Sequence, residues 1–231
     1  MDRIKCGGSG RQLSKTELAE ALVETGIIAT IRVSGEQQLR RAVAALAEGG
    51  IRAVELSYAT VQSAGWLTHA LKETGVLVGV GALTRSSQAR EVGMFGADFI
   101  TAAVTTPDVV SACEEMDIPC ILSGLTPTEV WRAHEMGADF AKVVAAEALG
   151  GPRYIRSLRE TLPAAQRLVV GDVPLDDCLP YLEAGVEVLE FKSSLALPKL
   201  VKQEEWAEIS RRALKMVTAC DNRRASRERH T

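Results

Sequence analysis

A chain of 231 residues with 46% hydrophobic and 25% charged side chains has the bulk for one large α/β domain or two small ones. Its net charge of −3 argues against a nucleic-acid binder, and no run of about 18 apolar residues is present to cross a membrane. The five cysteines (Cys6, Cys113, Cys120, Cys178, Cys220) form no C-x-x-C pair, which with the lack of a charged-then-apolar leader points to reduced thiols in the cytoplasm.

Along the chain, residues 1–14 begin glycine-rich and are expected to be disordered, and a first helix follows from Lys15 to Thr25. Short apolar runs then alternate with amphipathic stretches. The runs Ile27–Ile31, Ala53–Leu56, Val76–Val80, Phe99–Thr101, Cys120–Leu122, Phe140–Val144, Leu168–Val170 and Val186–Phe191 read as strands. Helical patterns separate them: Glu36–Glu48, Val61–Glu73, Ser87–Phe95, Pro107–Met116, Thr128–Met136, Arg153–Thr161 and Leu175–Ala184, with Gln203–Cys220 last. Ser34, Thr60, Thr106, Thr126 and Asp172 are candidate helix caps. The basic tail, 221–231, is expected to be disordered.

An internal echo supports repetition. Phe95-Gly96-Ala97-Asp98-Phe99, Met136-Gly137-Ala138-Asp139-Phe140 and Ala184-Gly185-Val186-Glu187-Val188 each leave a helix through glycine and enter a strand, as does Glu48-Gly49-Gly50-Ile51. Repeated β–α units of about 20 to 28 residues, with one helix ahead of the first strand, predict a (β/α)8 TIM barrel over residues 15–220. An open doubly wound sheet is the alternative, disfavoured by the lack of a dinucleotide loop.

Active sites of such barrels form at the C-terminal ends of the strands. Lys142 is the one charge in the apolar run from Phe140 to Ala146. A lysine there either finds an anionic partner or sheds its proton, and a neutral amine attacks carbonyl carbon. Glu55, flanked by apolar residues late in the second strand, is a candidate proton carrier or a structural partner for a cation. Arg32 closes the first strand and is placed to clamp a carboxylate. Gly81 lets a ligand approach the backbone after the third strand. Gly171 and Asp172 follow the seventh strand and Lys192 and Ser193 the eighth, where many barrels hold a phosphate. The three histidines, His69, His134 and His230, stand alone, so neither a metal nor a cofactor is expected. A buried lysine, a carboxylate and an arginine on one rim are the parts of a Schiff-base aldolase acting on a 2-oxo acid such as pyruvate.

From about Ile27 to Leu200 the chain resembles the 2-keto-3-deoxy-6-phosphogluconate and 4-hydroxy-2-oxoglutarate aldolase family. The matching pieces are Ile28-Ala29-Thr30-Ile31-Arg32, Gly49-Gly50-Ile51-Arg52-Ala53-Val54-Glu55-Leu56, Val78-Gly79-Val80-Gly81, Gly124-Leu125-Thr126-Pro127-Thr128-Glu129 and Ala141-Lys142-Val143-Val144-Ala145-Ala146-Glu147-Ala148-Leu149-Gly150-Gly151-Pro152. The resemblance implies Lys142 as the Schiff-base lysine, Glu55 as the catalytic glutamate, Arg32 as a substrate-binding arginine, and a homotrimer. The chain also departs from the family's pattern. An arginine four residues after the glutamate falls on Ala59, a threonine on Ala82, a phenylalanine on Val144, and a Gly-Gly phosphate turn on Gly171-Asp172. A Gly-x-Gly-Ser turn falls on Glu190-Phe191-Lys192-Ser193, where Glu190 adds a second carboxylate to the edge and Asp172 or Glu190 is expected to pair with Lys192 and fill or neutralise an anion site. These departures imply a partner other than a standard sugar phosphate. They also keep open a binding or scaffold protein, or an imine-based decarboxylase or isomerase.

Overall fold

The computed structural model describes residues 13–33, 35–63, 67–164, 167–192 and 194–228; the expected cap Ser34 and the candidate Ser193 lie outside them. Strands β1 (Ile27–Ile31), β2 (Ala53–Ser57), β3 (Leu77–Leu83), β4 (Phe99–Ala102), β5 (Cys120–Gly124), β6 (Phe140–Val143), β7 (Arg167–Gly171) and β8 (Val188–Phe191) close into an all-parallel barrel in chain order. Helix α1 (Lys15–Thr25) precedes the barrel, and α2 (Glu36–Glu48), α3 (Tyr58–Ser63), α4 (Leu67–Lys72), α5 (Ser86–Met94) and α6 (Pro107–Glu115) connect the first five strands. The remaining helices are α7 (Pro127–Glu135), α8 (Pro152–Thr161), α9 (Cys178–Glu183), α10 (Pro198–Lys202) and α11 (Trp206–Glu228). This is the (β/α)8 barrel with an added first helix that the alternation predicts. No helix among the described residues is long and apolar enough to cross a membrane.

Every strand obeys a period of two. One set of side chains, such as Ala29, Ile31, Val54, Leu56, Val170 and Phe191, packs outward against the helices in one continuous core. The alternate set, Ile28, Ala53, Leu77, Phe99, Ile121, Phe140, Val169 and Val188, forms a separate cluster with Leu18, Ala19, Ala21 and Leu22 of α1. That second cluster is the floor of the barrel interior, and α1 seals it from below. Ser14 starts α1 through a capping box with Glu17.

The echo noted in the sequence is a repeated clamp. Gly96, Gly137 and Gly185 take left-handed φ values of 82°, 80° and 93° as their helices end. The acid two residues later then accepts a backbone N–H at the start of the preceding strand, from its first or second residue: Asp98 from Val78 at 2.8 Å, Asp139 from Cys120 at 2.8 Å, Glu187 from Leu168 at 2.6 Å. A cation completes each clamp, Lys72 on Asp98, Lys15 on Asp139 and Arg159 on Glu187. The fourth copy carries Arg52 where the others carry an acid, and its Gly49 serves another purpose. A Cβ there would meet the Ser210 carbonyl at 2.4 Å, so glycine lets α2 end directly against α11.

Three helix boundaries differ from expectation. The pattern over Leu175–Ala184 shortens to α9, which starts at Cys178 and holds Pro180 in its first turn, where a missing N–H is harmless. The pattern over Val61–Glu73 falls on α3, which starts earlier at Tyr58, and on α4. The last helix begins at Trp206, after Glu204 takes a left-handed φ of 55° that separates it from α10, a helix the periodicity did not reveal. It then runs to Glu228, so residues 221–228 are helical and not the expected disordered tail. The segment lacks Pro and Gly, and Arg223 reaches Glu183.

Replacing Asp139 by Ala removes the acceptor for the Cys120 N–H and the partner of Lys15. The expected cost is about 1–3 kcal/mol, measured as a lowered urea midpoint with unchanged slope.

Candidate active site

Two residues beyond the floor, each strand presents its next interior position. These positions are Thr30, Glu55, Gly79, Thr101, Ser123, Lys142, Gly171 and Glu190. None carries an aliphatic side chain, and the six that are not glycine are all buried. The barrel therefore changes from an apolar layer to a polar one within a single residue pair.

Lys142 is the centre of this layer. Its Nζ lies 3.1 Å from Glu190 Oε2 and 3.9 Å from Glu55 Oε2, with the three side chains 7%, 2% and 6% exposed. Thr30 Oγ1 donates to the other oxygen of Glu190 at 2.7 Å. Burial alone would drive the proton off Lys142, but the charges of Glu55 and Glu190 outweigh it and hold the amine above its ordinary value. The lysine has thus taken the first of the two routes open to it, an anionic partner, twice over. Glu55 shows the converse. Burial raises its carboxyl above the ordinary range, Lys142 pulls it down, and Glu190 adds to the rise.

Two glycines make room for this arrangement. A Cβ at Gly81 would stand 2.9 Å from the Glu55 carboxyl carbon and 3.0 Å from Thr101 Cβ. A Cβ at Gly171 would stand 2.9 Å from Glu190 Oε2 and 3.6 Å from Lys142 Cδ. Arg32 follows β1 on the same rim, exposed to solvent, and its charge acts on both Glu55 and Lys142.

The rim after β7 and β8 matches expectation only in part. Lys192 Nζ pairs with Asp172 Oδ2 at 3.5 Å, both well exposed, while Asp172 holds a left-handed φ of 64°. Glu190 does not join them. It was expected on that edge beside Lys192, but it occupies an interior position of β8 and turns to Lys142 and Thr30. The alternation Val188, Glu190 matches Phe140, Lys142 strand for strand, and this was the available signal. Thr30, Thr101 and Ser123 follow from the same count.

The loop after β6 is a lock. Glu147 lies in a short 3-10 turn (Ala146–Leu149) and accepts a 2.8 Å hydrogen bond from Tyr181 Oη. Gly151 has φ 59°, and a Cβ on it would meet Glu147 Oε2 at 3.0 Å and Tyr181 Oη at 3.2 Å. The run Glu147-Ala148-Leu149-Gly150-Gly151-Pro152 thereby ties the end of the lysine strand to α9.

The profile of the KDPG and KHG aldolases matches residues 18–212. The chain belongs to that aldolase family. The family is one of carbon–carbon lyases. The 2-dehydro-3-deoxy-phosphogluconate aldolase of Treponema pallidum is 28% identical over 180 residues, covering 78% of this chain and 85% of that protein. The enzyme of the same name from Haemophilus influenzae is 24% identical, covering 84% and 92%. Among solved structures, the KDPG aldolase of Legionella pneumophila with pyruvate captured as a covalent carbinolamine shares the fold at a TM-score of 0.78. It is 20% identical and covers 87% of this chain and 98% of its own.

Because the folded protein raises the affinity of Glu55 for a proton, its contribution to stability is present below the ordinary carboxyl value of 4.5 and is lost as pH rises through the raised one. Glu55→Gln should therefore gain on the wild type as pH rises above about 4.5 in urea melts across pH, and a gap that narrows instead would contradict this environment for Glu55.

Proposed function

We propose that this family member cleaves or forms a carbon–carbon bond next to a 2-oxo acid through an imine on Lys142. One observation carries the reading: a single buried ammonium held between two carboxylates at the C-terminal end of the barrel, with Arg32 on the rim above. The naming of the bacterial relatives as aldolases, and the carbinolamine trapped in the Legionella enzyme, support the same chemistry here.

The steps balance as follows. Lys142 gives a proton to a neighbouring carboxylate, and the neutral amine adds to the ketone carbon of the 2-oxo acid. The resulting carbinolamine takes a proton on its hydroxyl, loses water and becomes an iminium. Net, an ammonium and a carbonyl become an iminium and one water. In cleavage, Glu55 removes the proton of the hydroxyl on C4, the C3–C4 bond breaks, an aldehyde leaves and its electrons pass into the iminium to give an enamine. Glu55 returns the proton to C3, and water releases the 2-oxo acid and restores the ammonium. Arg32 binds the acid group of the substrate.

The partner aldehyde is, in this proposal, not a standard sugar phosphate. Asp172 puts a carboxylate where the family presents glycine to a phosphate, and Lys192 is engaged with it at 3.5 Å. A neutral or amino-bearing tail suits that edge better. The proposal also takes the protein to be a homo-oligomer, a trimer by its family, working in the cytoplasm. Cys113, Cys120 and Cys178, free thiols buried in the core, suit a reducing compartment.

Borohydride reduction in the presence of pyruvate should add one reduced pyruvate to the peptide holding Lys142, read by mass spectrometry. Adduct on Lys192 would move the chemistry to the rim, and no adduct with any 2-oxo acid would leave a binding protein. Glu55→Gln should lower turnover by roughly 10²-fold while the adduct on Lys142 still forms. Asp172→Gly should raise kcat/KM for a phosphorylated sugar acid, because it removes one repelling charge and a left-handed non-glycine residue. Efficient cleavage of the phosphorylated acid by the unaltered protein would return it to the relatives' substrate.

A further inference from the structure

Glu190 is a full carboxylate, 2% exposed, at a position the family's pattern leaves to a turn glycine. It is the nearest acid to Lys142, closer by the difference between 3.1 and 3.9 Å than Glu55. Its Oε1 accepts the Thr30 hydroxyl, while Oε2, buried and with no hydrogen-bond donor of its own, stands within ion-pair distance of the ammonium. The strand beside it yields space, since any side chain at Gly171 would collide with Oε2. A carboxylate oriented by a hydroxyl from β1, given room by β7 and aimed at the nucleophile of β6 is a built contact.

We infer that Glu190 is a positioning residue that fixes both the place and the charge of Lys142, holding it as an ammonium before the ketone arrives and flanking the iminium afterwards. The inference rests on the imine reading for its catalytic meaning, while the hold on Lys142 stands by itself. The charged groups facing the amine are Glu55 from β2, Glu190 from β8 and Arg32 after β1. The Lys192–Asp172 pair lies beyond them on the exposed rim. With Glu190 ionised, the four inner charges sum to zero, so the site no longer carries the net positive charge that Lys142, Glu55 and Arg32 would give it alone. A carboxylate beside an iminium keeps the nitrogen protonated, and a protonated imine is the better electron sink. It also makes the resting amine reluctant to attack, confining imine formation to higher pH.

The test uses the full-length protein with 13C-labelled lysine. The Lys142 ε-carbon signal is assigned by its loss in Lys142→Arg and titrated by NMR in the wild type, Glu190→Gln and Glu190→Asp. The glutamine keeps the shape and can still accept from Thr30, and thermal melts confirm that it folds. The expected result is a Lys142 midpoint lower by about one pH unit or more in Glu190→Gln, a tenfold change in the ammonium-to-amine ratio, with Glu190→Asp recovering most of the wild-type value. Borohydride labelling with pyruvate should extend to correspondingly lower pH in Glu190→Gln. An unchanged midpoint in Glu190→Gln overturns the inference. A shifted midpoint with no adduct in any variant leaves Glu190's hold intact and removes the imine reading instead.

Discussion

The ammonium of Lys142 is the charge around which the upper half of this barrel is arranged. An isolated cation in a dry interior carries a desolvation cost of several kcal/mol or loses its proton, so the sequence around it must supply anions, and it supplies two. Those anions are themselves costly to bury. Thr30 satisfies one oxygen of Glu190, Gly81 and Gly171 clear the volume, and at the level of the polar layer β2, β6 and β8 carry no aliphatic side chain. The apolar stability lost there is recovered one layer down, where eight side chains pack on α1, and outside, where the strands meet the helices. A barrel can carry such a site because its rim and floor are separate layers of the same strands.

Much of this was legible in the chain. Alternation of short apolar runs with helical stretches identifies the barrel, because each strand is covered on both faces and each helix on one. Lys142 and Glu55 stand out for a related reason: a charge in an apolar run has few innocent explanations. Glu190 was harder to read. It sits beside Lys192 and Ser193 and close to Asp172, in a segment where charges are common, so the reading that placed it on the exposed edge was the simpler one. Only the register across strands shows that it falls level with Lys142, and register is set by the closure of the sheet, a property of all eight strands together.

The helical ends were the least legible. Nothing in the periodicity of the last forty or so residues signals that Glu204 takes a left-handed conformation and divides α10 from α11. The basic segment from Asn222 onward has the composition of a solvated tail and also that of a good helix, and propensity alone does not choose between them. By contrast, the Gly-x-Asp echo was visible but its purpose was not. An aspartate after a helix cap reads as a surface residue, and only the fold shows it reaching across to a backbone N–H at the start of the neighbouring strand.

The seal made by α1 has a consequence for the order of events. With Leu18 and Leu22 packed on the floor, the described residues close that end of the barrel, so traffic to and from Lys142 runs through the opposite, C-terminal end of the strands. In an imine cycle the water that finally releases the 2-oxo acid must enter by the route along which the aldehyde departs. On the imine proposal the aldehyde would be both product and stopper: while it remained, the enamine beneath it would be shielded from solvent, and hydrolysis would wait for its exit. Such a dead-end chamber imposes sequence on a reaction without any moving lid, because the order of departure is decided by which fragment stands nearer the door.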